Sequence, residues 1–228
     1  MTEGTARIEG GFAEVGAGLW LLGRGQPSAF YGDAVRRRRK GWIVRDRARL
    51  DLVETTGAAK CADSLRPFLT YIPCAARISA VSDKVLVAPA TLRTDSELVK
   101  AVPMSTKGAL CVTVFGGPGE AAALAGPDGG EGASWVVMAT ASRTSRVAVE
   151  DGGTLSVRPD AVVAWTGPRP TGFVRRLGIW DAILPRAPRD LMFHFHGPCV
   201  VWIEGSSPQL SNFQAFRLTN LHRRIYGV

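Results

Sequence analysis

A run of alternating apolar residues that enters a Gly/Pro turn and leaves it as a second apolar run recurs three times along the chain. This repetition limits the possible folds more than any other feature. The copies are residues 68–78, 110–119 and 191–203, and the first and third share a Pro-Cys pair, Pro73-Cys74 and Pro198-Cys199. Successive side chains on a strand point to opposite faces, so period-two alternation on both sides of a turn predicts antiparallel strands. Each copy has a shorter lead-in, Val44-Arg45-Asp46-Arg47-Ala48, Val87-Ala88-Pro89-Ala90 and Val157-Arg158-Pro159-Asp160-Ala161, in which a strand-like run meets a turn. One such unit leaves a sheet face bare, whereas three around a common centre cover one another. The expectation is an all-β fold of three internal β repeats, packed as a pseudo-threefold β-sandwich or prism.

Composition agrees with strands and turns. Twenty-six Gly and 14 Pro stand against only four Met, which leaves few strong helix formers and many turn formers. With 46% hydrophobic residues the chain can bury a sizeable core. The longest charge-free stretch near the start, residues 15–23, is far short of the roughly 20 apolar residues that cross a bilayer. Glu3, Glu9 and Glu14 interrupt any secretory pattern at the N-terminus. Residues 135–141 and 146–150 read as two further strands, with Asp151-Gly152-Gly153 as a tight turn.

Helical spacing returns only at the end of the chain. Leu210, Phe213, Leu221 and Ile225 recur near period 3.6, Ser211 can cap the start, and Arg223 and Arg224 suit the C-terminal end. The expected organisation is a basic N-terminal extension over 1–41, a three-repeat β domain over 42–205 and a short C-terminal helix within a tail over 206–228.

Leu155-Ser156-Val157-Arg158-Pro159-Asp160-Ala161-Val162-Val163-Ala164-Trp165, followed by Gly197-Pro198-Cys199-Val200-Val201-Trp202-Ile203-Glu204, resembles the closing repeat of the family named for altered inheritance of mitochondria, protein 24. The match spans about residues 42 to 205 and is strongest after Leu155. Asp160 and Cys199 stand where that family favours glycine, and Glu204 where it favours glutamine. The resemblance implies a three-repeat β fold akin to the tryptophan RNA-binding attenuation protein and a mitochondrial role in inner-membrane organisation. It defines no catalytic residues.

The chain is strongly basic, +8 with a pI near 9.9. The excess is arginine, which prefers planar anionic partners such as carboxylates, phosphates and bases. The sharpest charge feature is Arg36-Arg37-Arg38-Arg39-Lys40, flanked by Tyr31 and Trp42. Five adjacent cations cannot be buried unpaired, so the run is either solvated or set against an anionic surface. Flanking aromatics suit phosphate contact combined with base stacking. Arg175-Arg176 and Arg223-Arg224 are weaker echoes of the same feature.

His194 and His196 are two apart on an expected strand and so share a face, a geometry that metal sites use. No third ligand is placed beside them by sequence, so an exposed polar sheet face is the preferred reading and a metal-dependent enzyme the remote one. Cys61, Cys74, Cys111 and Cys199 show no CxxC spacing and read as reduced, structural thiols. Gly116-Gly117-Pro118-Gly119 has no following Lys-Ser or Lys-Thr and reads as a turn.

The expected function is a non-enzymatic scaffold or interaction protein, mitochondrial by the resemblance, that presents arginine-rich surfaces to an acidic macromolecular partner. The alternative is an RNA-contacting component of a mitochondrial ribonucleoprotein such as the mitoribosome. A membrane-associated assembly is the partner favoured by the resemblance, and RNA the one favoured by the arginine run. No cofactor and no small-molecule substrate are expected.

Overall fold

A computed structural model describes residues 6–23, 29–37, 50–74, 77–100, 109–116, 135–174 and 191–205. Within them every regular element is a strand or a short 3-10 turn, as the Gly/Pro punctuation predicts. The first seven strands are β1 (Ala6–Glu9), β2 (Phe12–Val15), β3 (Gly18–Gly23), β4 (Ala29–Tyr31), β5 (Ala34–Arg37), β6 (Leu50–Thr55) and β7 (Ala59–Ala62). Next come β8 (Phe68–Pro73), β9 (Ile78–Val81), β10 (Val85–Pro89), β11 (Arg93–Val99), β12 (Leu110–Gly116) and β13 (Trp135–Thr140). The last six are β14 (Thr144–Val149), β15 (Thr154–Val157), β16 (Val162–Thr166), β17 (Thr171–Val174), β18 (Leu191–His196) and β19 (Cys199–Glu204).

The strand order exposes the repeat. One six-stranded sheet runs β5-β6-β3-β10-β13-β8, and the other runs β11-β12-β9-β16-β19-β14. Adding six to each strand number of the first sheet reproduces the second. Adding six again gives β17-β18-β15, which is the three-stranded sheet. Subtracting six from the second half of the first sheet gives β4-β7-β2, which is the remaining sheet apart from β1.

Each repeat is therefore six strands, β2–β7, β8–β13 and β14–β19, folded as one three-stranded half over another. The half-sheets of neighbouring repeats are hydrogen-bonded together. β3 meets β10 with Leu21 opposite Ala88, and β9 meets β16 with Ser79 opposite Trp165. The same irregularity recurs in both later repeats, between Val85 and Val87 and between Val162 and Ala164. A 3-10 turn precedes each of them, Ser82–Lys84 and Pro159–Ala161.

Three cores follow from this arrangement, one between each successive pair of sheets. The first gathers Ala13, Val15, Trp20, Leu22, Val53 and Cys61 against Trp135 and Val137. The second packs Leu21, Ile72, Ile78, Phe115, Met138 and Trp202. The third holds Val114, Trp165, Phe193, Phe195 and Val201. Trp20 belongs to the first core while its neighbour Leu21 belongs to the second, so the six-stranded sheets are buried on both faces. Their central strands accordingly read as continuous apolar runs, for example Trp135-Val136-Val137-Met138-Ala139, with every residue of β13 buried.

Two expectations need correction. Residues 6–23 and 29–37, read above as part of an extension, form β1–β5, and β3 lies between β6 and β10 at the centre of a sheet. The run Leu19-Trp20-Leu21-Leu22 is too apolar to lie outside the core, and Trp20 through Leu22 are buried. The register of the repeat also differs. β12 and β18 are equivalent, as expected, but their counterpart in the first repeat is β6, and residues 68–78 fall on β8 and β9. The shared Pro-Cys pair is a coincidence: Pro73 ends β8, whereas Pro198 lies in the turn between β18 and β19. The lead-in at Val44 and the C-terminal helix lie outside the described residues.

Candidate functional site

Charge is distributed unevenly between the β core and the rest of the sequence. The described residues contain 13 Lys or Arg and 13 Asp or Glu, whereas the whole chain contains 28 and 20. The core is thus neutral. The connection between β5 and β6, residues 38–49, contributes Arg38, Arg39, Lys40, Arg45, Arg47 and Arg49 against Asp46. Between β11 and β12, residues 101–108 contribute Lys107. Between β17 and β18, residues 175–190 contribute Arg175, Arg176, Arg186 and Arg189 against Asp181 and Asp190. These three connections sum to +8, the net charge of the chain, because the other undescribed residues balance four acids with four arginines. Under the six-strand rule the same three connections are equivalents of one another.

The individual candidates fall as follows. Arg36 and Arg37 end β5, the edge strand of its sheet, opposite Val53 and Leu52 of β6. Tyr31 ends β4 in a different sheet, 79% exposed and in register with Lys60 of β7. The structure therefore separates Tyr31 from the arginine run by a change of sheet at Gly32-Asp33. Arg38, Arg39, Lys40, Trp42, Arg175, Arg176, Arg223 and Arg224 lie outside the described residues.

His194 and His196 do share the outward face of β18, because Leu191, Phe193 and Phe195 are buried on the other. The His196 ring lies between two hydroxyls, with Thr154 Oγ1 3.4 Å from Nδ1 and Thr171 Oγ1 3.3 Å from Nε2. No group of three or more His, Cys, Asp or Glu that could hold a metal ion occurs among the described residues. A zinc site takes three or four protein ligands, of which these two imidazoles would be two.

The four cysteines are free thiols. Burial pushes the thiols of Cys61 and Cys74 up to about 12, so neither is a nucleophile near neutral pH.

Sequence reading missed Lys84. It closes the 3-10 turn before β10, nearly buried, and donates to the carbonyl oxygens of Asp160 and Val162 at 2.8 Å each and to the Glu204 carboxylate. The other Glu204 oxygen accepts from the Ala141 amide at 3.0 Å. Desolvation lowers the Lys84 pKa, opposed by its hydrogen bond to Glu204 and that group's charge. Its three acceptors occupy all three ammonium donors, which makes it a staple between the second and third repeats. No periodicity marks such a residue, because its partners are 76, 78 and 120 positions away.

These features define an all-β protein built from six-strand repeats. The chain matches no family model, and no curated protein matches it in sequence. Among solved structures it is similar to protein SPYM3_0169 from Streptococcus pyogenes, with a TM-score of 0.62 and 13% identity, over 96% of this chain and 98% of that one. At that identity the likeness establishes the fold alone.

Proposed function

We propose that the protein is a non-enzymatic interaction module. A neutral, rigid β core carries its cationic charge on three equivalent strand connections and offers it to an acidic macromolecular partner. The observation that supports this reading is the charge partition: 13 of each sign in the described core and +8 on the connections after β5, β11 and β17. Arginine at such positions forms forked, charge-assisted hydrogen bonds with carboxylates and phosphates. The buried thiols of Cys61 and Cys74 and the fully occupied Lys84 ammonium agree with a role that involves no covalent chemistry. The sequence resemblance to the family named above supports a mitochondrial setting and a membrane-associated assembly as the partner.

RNA is the second reading, favoured by Trp42 beside the Arg36–Lys40 run. Salt titration with labelled single-stranded RNA and with anionic vesicles separates the two. The expected result is binding whose logarithm falls linearly with log salt, with a shallower slope after Arg36, Arg37, Arg38, Arg39 and Lys40 are changed to Ser. Binding to vesicles alone supports the membrane assembly, and binding to RNA alone supports the ribonucleoprotein. Binding to both probes with equal, salt-insensitive affinity, or to neither, would overturn the cationic-module reading.

A further inference from the structure

The six-strand rule makes β2, β8 and β14 equivalent, and each stands at the same position in its sheet. In the first repeat that edge is covered: β1 pairs with β2 antiparallel, from Ala6 opposite Val15 to Glu9 opposite Phe12. The position therefore accepts an added antiparallel strand. In the third repeat β14 has no strand beyond it among the described residues, but it presents Ser145 and Arg146 to solvent. Such polarity and charge are how edge strands resist pairing.

β8 has neither protection. Its sequence, Phe68-Leu69-Thr70-Tyr71-Ile72-Pro73, carries no charge, and β13 is its only partner strand among the described residues. Phe68 is 40% exposed, Tyr71 42%, and Leu65 just before the strand 83%. Alternation puts Phe68 and Tyr71 on opposite faces, so exposed aromatics flank the edge on both sides. Tyr71 is braced from behind, stacked on Trp135 at 5.4 Å, which in turn meets Trp20 at 5.6 Å. A rigid, half-exposed aromatic backed by a packed column is the form taken by interface anchors.

We propose that β8 pairs with β8 of a second copy of this chain, making a twofold dimer in which the two six-stranded sheets become one continuous sheet. The strand is complementary to itself. An antiparallel register centred on Thr70 sets Thr70 against Thr70 of the second copy. Phe68 then meets Ile72 of the second copy on one face, and Leu69 meets its Tyr71 on the other. Every cross-strand pair is apolar or Thr–Thr, the pairings that stabilise antiparallel ladders. Because the axis relates one patch to itself, the assembly closes at two copies instead of growing. The same pairing at β14 would place Arg146 of both copies on one short seam, a repulsive arrangement.

The test is the solution mass of the full chain over a wide concentration range at moderate and high salt, alongside the Phe68→Lys/Tyr71→Lys double variant. Wild type is expected at twice the 24.4 kDa chain mass and the variant at the single-chain mass, with unchanged far-ultraviolet circular dichroism. Ser145→Lys on β14 should leave the dimer intact. As a second measurement, Thr70→Cys should give a disulfide-linked dimer on mild oxidation and Pro73→Cys should not. A wild-type monomer throughout overturns the proposal. A dimer that persists in the double variant places the interface elsewhere, and a dimer without the Thr70→Cys link rules out this register.

Discussion

Lys84 and Glu204 form an ion pair across the junction of the second and third repeats, with side chains only 8% and 11% exposed. The position equivalent to Lys84 in the third repeat is Ala161, just before β16, so the staple is an asymmetric addition to a symmetric plan. Removing one partner of a buried pair leaves the other charge uncompensated, at a cost of about 3 kcal/mol or more. Lys84→Met strands both Glu204 and the carbonyls of Asp160 and Val162, so it should be the more damaging single change. Glu204→Gln still accepts from Ala141 and should lose less. In urea unfolding the double variant should be destabilised by less than the sum of the singles. Additive losses would mean that the two groups do not act as a pair.

The turn between β18 and β19 should tolerate no side chain at its glycine. A Cβ on Gly197 would lie 1.8 Å from the carbonyl oxygen of Glu150 and 2.7 Å from that of Val149, both backbone atoms with nowhere to move. Gly197→Ala is expected to cost about 3 kcal/mol or more, at the upper end of overpacking effects. Gly116→Ala is the control: its nearest neighbour would be Arg93 Cβ at 3.5 Å, an ordinary contact. Thermal unfolding of the two variants tests the contrast, and equal midpoints would refute it.

Much of the architecture was legible in the sequence, for identifiable reasons. β18 reads Leu191-Met192-Phe193-His194-Phe195-His196 and buries one face only. Alternation survives there, so strand character and the equivalence of β12 and β18 emerge. In β3 and β13 both faces are buried, period two is lost, and Trp20-Leu21-Leu22 gives no hint that it pairs with β10. The arginine run was visible as a local cluster. Its equivalence to the connection that begins at Arg175 is a property of strand order, which no local pattern carries.

The repeat plan leaves one junction unpaired, and the fold should be weakest there. Under the six-strand rule β15 and β4 ought to pair as β3 pairs with β10 and β9 with β16, yet they are edges of two separate sheets among the described residues. Backbone amides at such edges open without disturbing a core. Hydrogen exchange is therefore expected to be faster in Thr154–Val157 and Ala29–Tyr31 than in Ile78–Val81 and Val162–Thr166. Equal protection would show that the third sheet is closed in solution.

Alkaline pH should loosen the fold through its buried thiols. Cys61 and Cys74 are held as neutral thiols up to about 12 by burial, against 9.0 for an ordinary thiol. Between these values the unfolded chain has released protons that the folded chain retains, so the native state binds more protons and stability falls as pH rises. The contribution is complete below pH 9.0 and is lost progressively towards 12. Lys84 acts in the opposite sense, because its lowered pKa leaves the unfolded chain holding the extra proton. Comparing wild type with Cys61→Ala/Cys74→Ala isolates the thiols, since Lys84 is present in both. The double variant should be less stable at neutral pH, where it has two small cavities, but its stability should fall less steeply above pH 9.0. Parallel stability–pH curves for the two proteins would remove the thiols from the account of alkaline unfolding.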